Sequence, residues 1–247
     1  MQRIGHILPS TSLGAARWAS RICAPVAVRT AHPTARASLP EQLCGPATTG
    51  GQRAELVRAA EQLAQAGADA IVWNGGSCGL HGVAHARAVV RILEATAGVP
   101  ASTVTLGQFD LLRRHGLASL ALVAPGSRES AGRVADSWLA AGLRVASVTA
   151  LGLTTPREAA ELPVARLRRL LLDADTADAQ CLVVAGTELP VAPVAALVER
   201  HLGKPVFDGA RVAVRTGLDL LGLRVESPEW GRLFTGDAHA GVCCDRH

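Results

Sequence analysis

The side chains best suited to moving a proton or gripping an anion fall on two short glycine-bearing stretches, WNGGSCGL at residues 73–80 and AGTELP at residues 185–190. In the first, Cys78 offers a thiol that a neighbouring helix N-terminus would make more acidic. The alternative is a small residue packed under the loop. In the second, Glu188 offers a carboxylate that burial would turn into a stronger base, or a side chain that only braces its loop. Ser77 and Thr187 place hydroxyls at matched loop positions. With the loop amides they could hold a carboxylate or stabilise an enediolate. His81 starts the helix nearest the first loop, where an imidazole could act as acid or base.

Other chemistries lose support. His81 and His85 are one helical turn apart, a spacing that can hold a metal. No Glu or third ligand accompanies them, so no metal site is expected. The six cysteines show no paired metal-ligand spacing and read as thiols of a reduced, cytoplasmic protein. No glycine loop follows the GxGxxG or Walker pattern, so no nucleotide cofactor is indicated. With 3% aromatic residues and no Tyr, the chain lacks a stacking platform for bases. Its net charge of +4 is spread along helices, as at Arg166, Arg168 and Arg169. That is a solvated face rather than a nucleic-acid footprint. The opening MQRIGHILPSTS suits a first strand better than a signal peptide. No stretch approaches the ~18 to 20 apolar residues of a membrane span.

The loops need a scaffold, and 247 residues at 49% hydrophobic content can fill a sizeable aliphatic core. Residues 3–8 read as a strand ending at Pro9, after which Ser10 opens a polar loop in a position that faces ligands in open parallel sheets. His6 on this strand reads as a core or supporting histidine. A weaker strand at 26–30 and a loop through 46 precede a helix at 50–66, which Gly67 ends. A strand at 70–73, the glycine turn, a helix at 83–97, a strand at 99–105 and a helix at 106–115 complete the first half. The second half repeats the plan: strand 120–124, a loop with Pro125, Gly126 and Ser127, helix 130–141, strand 145–150 and helix 163–173. Strand 181–184, helix 194–202, strand 205–207 and helix 210–221 follow, with Asp208 placed to cap the last helix or orient a loop. Such alternation predicts parallel sheets. QAGADAIVWNGG and DTADAQCLVVAGTE share one sequence of helix end, turn, buried strand and glycine loop, a repeat of architecture. The expected lobes are 1–115 plus 207–235 and 116–206, with a flexible tail at 236–247.

LVVAGTELP at residues 182–190 resembles the second active-site loop of the aspartate, glutamate and hydantoin racemase superfamily, which usually reads Gly-Cys-Thr-Glu-Leu/Ile-Pro. GPATTGGQ (45–52), GADAIVWNGGS (67–77) and GKPVFDGARVAVRTGLDLL (203–221) also match. WGRLF (230–234) and the opening IGHILPS are similar to the maleate cis-trans isomerase and arylmalonate decarboxylase branch. The resemblance implies an α/β fold of two Rossmann-like lobes with parallel sheets, related by a pseudo-twofold axis, with the ligand cleft between them. It also implies no cofactor, and it places Pro9, Ser10, Pro125, Gly126 and Ser127 on the loops that line a carboxylate pocket. A homo-oligomer follows from family analogy alone. Racemases of this kind set one thiol on each side of a carbon acid, whereas arylmalonate decarboxylases keep only the second. Here Gly186 stands at the second position, and the first falls at Gly75 or beside it, so both thiols are replaced by glycine.

The sequence therefore predicts a cofactor-independent isomerase or decarboxylase-like lyase acting on a small carboxylic acid through an enediolate, and not a two-thiol racemase. Cys78, His81 or Glu188 would move the proton, with Gly75, Gly76, Ser77, Gly186 and Thr187 around the substrate. Two alternatives stay open: an enzyme of specialised metabolism with a changed reaction (dehydration, cyclisation or ring opening), and a binding protein with a dead site.

Overall fold

The computed structural model describes residues 1–9, 18, 19, 21, 22, 30, 31, 34–37 and 50–235. Ser10, most of the strand expected at 26–30 and the tail at 236–247 lie outside these residues. Every strand pairing among the described residues is parallel. The first sheet combines β1 (Gln2–Pro9), β2 (Thr30–Ala31), β3 (Thr34–Ala37), β4 (Ala70–Trp73) and β5 (Ala101–Thr103), and β1 pairs with β2, β3 and β4. The second runs in the order β7 (Arg144–Ala150), β6 (Ser119–Ala124), β8 (Cys181–Val184), β9 (Val206–Phe207). β3 corrects the sequence reading, which treats the stretch after residue 30 as loop.

Strand periodicity sorts side chains onto two faces of each sheet. Val72 of β4, Leu120 and Leu122 of β6, and Cys181 and Val183 of β8 point into one shared core. That core is filled by α3 (Val104–Arg114), α4 (Arg128–Ala140) and α8 (Gly209–Leu220), through Leu111, Leu112, Trp138, Val212 and Leu218. Ile71 and Trp73 face the other way, onto α1 (Gly50–Gln65) and α2 (Ser77–Ala97). Ala121, Val123, Leu182 and Val184 likewise meet α6 (Val164–Asp173) and α7 (Ala192–Leu202). Each fully buried Val, Leu or Ile contributes about 1.5–3 kcal/mol, so the shared core is what joins the two halves.

Caps set the helix starts and correct three expected boundaries. Thr103 accepts from Leu106 N, so α3 begins at Val104 and β5 stops at Thr103. Ser127 accepts from Ser130 N, which starts α4 at Arg128. Asp208 accepts from Arg211 N and starts α8 at Gly209. The sequence reading also lacks α5 (Pro156–Ala160), which opens on a capping box between Thr155 and Glu158 with Pro at its first turn. Within α2, Gly82 has φ 80° and ψ −178°, which separates a first turn from the helix beyond. No described helix is long and apolar enough to cross a membrane.

Candidate active site

The carboxyl ends of β1, β4, β6 and β8 converge on one cavity of about 210 Å³, bordered by Pro9, Trp73, Ala124 and Ala185. Gly75, Gly76, Pro125, Gly126, Gly186 and Glu188 also line it. The two glycine loops touch across this space: a side chain on Gly76 would begin 3.5 Å from the Gly186 Cα.

Neighbouring side chains fill the volume that the glycines leave open. At Gly75, any Cβ would overlap the Trp73 indole, whose Nε1 lies 2.7 Å from that point. At Gly186, a Cβ would overlap the Glu188 carboxylate, and the backbone there has φ 75°. This is a left-handed conformation that only glycine adopts without strain. Glu188 is held in this pose by the Thr187 N–H, which donates to its Oε2 at 2.8 Å. Glu188 Oε1 is also 3.9 Å from where a side chain on Gly76 would start, so the carboxylate stands between the loops.

Thr187 has a different role from the one its position suggests. Its buried hydroxyl donates to the Asn74 backbone carbonyl at 2.9 Å, so its proton is committed to the base of the opposite loop. Asn74 is buried too, and its Nδ2 donates to the carbonyls of Ile7 and Val72 and lies 3.4 Å from His6 Nδ1. His6 is thus a buried partner of the loop base. Behind the second loop, Gln108 Nε2 donates to Val184 O and Phe207 O, both at 3.0 Å. Any side chain on Gly209 would strike Gly186 O and Thr187 Cγ2, so α8 starts directly against the loop.

The start of α8 is anchored by a buried charge cluster. Arg211, 0% exposed, pairs with Asp208 and, at 3.3 Å, with Glu199, and it donates to the carbonyls of Val206 and Trp230. Glu199 also accepts from the backbone N–H of Val206 and Arg232.

The other sequence candidates fall as follows. Ser77 and Cys78 lie in the first turn of α2, and their side chains are outside the described residues. His81 and His85 are neighbours, with ring centroids 4.9 Å apart, but neither borders the cavity. Burial, and then the charge of His81, lowers the His85 pKa. Ser127 is occupied as a cap, while Ser130 borders the cavity in its place. Among the described residues no group of three or more His, Cys, Asp or Glu could hold a metal. Cys181 sits in the core, where burial pushes its thiol up to about 12. The sequence reading placed Trp73 and Leu80 on the first loop without a role in the site, and it missed Val134 and the wall formed by Leu153, Thr154, Thr155, Pro156 and Ala159. The capping box at 155–158 was the available signal for that wall.

The arylmalonate decarboxylase family model matches residues 52–234, which include both glycine loops and the charge cluster. The chain belongs to the arylmalonate decarboxylase family. Solved structures agree on the fold. Maleate isomerase from Pseudomonas putida S16 matches with a TM-score of 0.85 and 20% identity over 95% of this chain and 98% of that one. Unliganded arylmalonate decarboxylase matches with a TM-score of 0.83 and 21% identity over 96% and 100%. A cysteine-to-serine mutant of Nocardia farcinica maleate cis-trans isomerase, holding a covalently bound succinylcysteine intermediate, gives 0.83 and 20% over 96% and 99%. At these identities the likeness is one of fold. No curated protein sequence matches the chain. Within the arylmalonate decarboxylase family, then, this member has a cavity walled by Glu188 on one loop and by the Trp73 indole beside the other.

Proposed function

We propose that this protein is a cofactor-independent isomerase or decarboxylase-like lyase that acts on a small carboxylic acid through an enediolate, with Glu188 moving the proton. The observation that carries the reading is the overlap between the Glu188 carboxylate and the place of a side chain at Gly186. By resemblance, that is where the superfamily's second thiol would begin. Gly186 lets the carboxylate fold into the space, and the Thr187 N–H fixes it there.

In an isomerisation, ionised Glu188 removes the proton from the carbon next to the substrate carboxylate, and the C–H electron pair moves into the enediolate. Returning the proton, after the intermediate has turned or its charge has shifted, completes the reaction. In a decarboxylation, the pair released as carbon dioxide departs forms the same enediolate, and protonated Glu188 supplies the proton. Amides of the glycine loops supply neutral donors for the enediolate oxygens. The opposite position is closed to acid–base work, because the Trp73 indole is a donor that does not accept a proton. Proton transfer is therefore one-sided.

The test is incubation in deuterated water with malonates, maleate, amino acids and hydantoins, read by proton NMR. Exchange or turnover with at least one of them is expected, falling by about 10²-fold or more in Glu188→Gln. Wild-type rates in that variant, or inertness towards the whole panel, would overturn the reading.

A further inference from the structure

Among the described residues that line the cavity there is one carboxylate and no Lys, Arg or His. The described lining can hold a carboxylate ligand through neutral donors alone, and backbone amides are one source. Trp73 is another. It is 1% exposed, it borders the cavity, and the edge of its indole that carries Nε1 lies over Gly75. No described residue accepts a hydrogen bond from that Nε1, and it is not one of the wholly enclosed donors that lack a partner. Two other indoles, those of Trp138 and Trp230, also have unpartnered N–H groups, but these are closed off in the interior. Trp73 differs because its neighbour in space is an open cavity.

We infer that the Trp73 Nε1–H is a ligand-binding donor that grips one oxygen of the substrate carboxylate and of the enediolate formed from it. This rests on the carboxylic-acid reading above and adds the group that anchors the acid from the first lobe. Sequence position explains how a core residue can do this. Trp73 is the last residue of β4, and its side chain belongs to the outer core that also holds Ile7, Leu56 and Leu63. Its far edge still emerges where the strand ends and Gly75 leaves room. Any side chain at Gly75 would occupy the position of that edge, so the glycine and the indole work as one unit.

The probe is phenylacetate, a monocarboxylate, followed by two-dimensional ¹H–¹⁵N NMR of the four indole N–H groups. Saturable downfield movement of the Trp73 resonance is expected, and Trp73→Phe should weaken phenylacetate binding about tenfold or more, as loss of a hydrogen bond to a charged group does. If Trp73→Phe does not fold, the Trp73 resonance is identified as the one that survives Trp18→Phe, Trp138→Phe and Trp230→Phe, and its movement decides alone. A Trp73 resonance that stays still, wild-type affinity in Trp73→Phe, or no binding of phenylacetate would each overturn the inference. Glu188→Gln separates it from the proposed reaction: if that variant exchanges as fast as wild type, the reaction reading fails while the indole shift stands.

Discussion

The Thr187 hydroxyl donates to the Asn74 carbonyl at the base of the opposite loop, 2.9 Å away. One loop therefore fixes the height of the other. Thr187→Val keeps the shape but leaves a buried carbonyl without this donor, a loss of about 1–3 kcal/mol. Urea denaturation should show that loss, whereas Thr187→Ser should recover most of it.

Gly186 and Glu188 compete for one volume. Installing a thiol with Gly186→Cys imposes a left-handed backbone on a residue with a Cβ, at about 1–2 kcal/mol, and evicts the carboxylate as well. We expect a lower Tm and loss of any Glu188-dependent exchange. The double variant Gly186→Cys, Glu188→Ala should regain the part of stability lost to overlap and keep the backbone penalty. Calorimetry of the two variants checks this.

Arg211 carries two buried carboxylates, Asp208 and Glu199. Arg211→Ala strands both, and breaking a buried pair in this way costs about 3–5 kcal/mol. Arg211→Lys should rescue little, because an ammonium cannot reproduce the planar fork that meets Asp208, Glu199 and two carbonyls. Denaturant midpoints of the two variants measure the difference.

His85 is held below its ordinary pKa, by burial first and then by His81. The fold therefore binds fewer protons than the unfolded chain as pH falls through the ordinary imidazole range near 6.5. Stability from this site is complete above that value and declines below it towards the lower folded pKa. His85→Gln should flatten that part of the curve of Tm against pH. In His81→Asn, an imidazole NMR titration should show the His85 pKa moving back up.

Much of the scaffold was legible because its signals are local. Val72 between Ile71 and Trp73, and Val183 between Leu182 and Val184, read as buried strands from type and length, and glycines marked where they turned. The family motifs then placed Pro9, Gly75, Gly76, Pro125, Gly126, Gly186 and Glu188 around one space, and all of them border the cavity. What stayed hidden depends on contacts between distant residues. Nothing adjacent to Thr187 announces that its proton goes to Asn74, 113 positions away. Gln108 sits in an ordinary helical run, and only the fold brings its amide to the ends of β8 and β9. Trp73 read simply as core, because strand alternation says which face a residue takes and not how far a large ring at the strand's end extends.

Arg211 also holds the Trp230 carbonyl, and Glu199 holds the Arg232 amide. Both grips are made to chain that is synthesised after every described strand of the two sheets, while domains tend to form in order from the N-terminus. The glycine loops at 73–80 and 185–190 are thus made long before the clasp that firms the ground beneath Gly186. A chain stopped before residue 230 would carry both loops but lack these two grips and the buried Leu233 and Phe234, so it should be less stable and bind phenylacetate more weakly than the full chain.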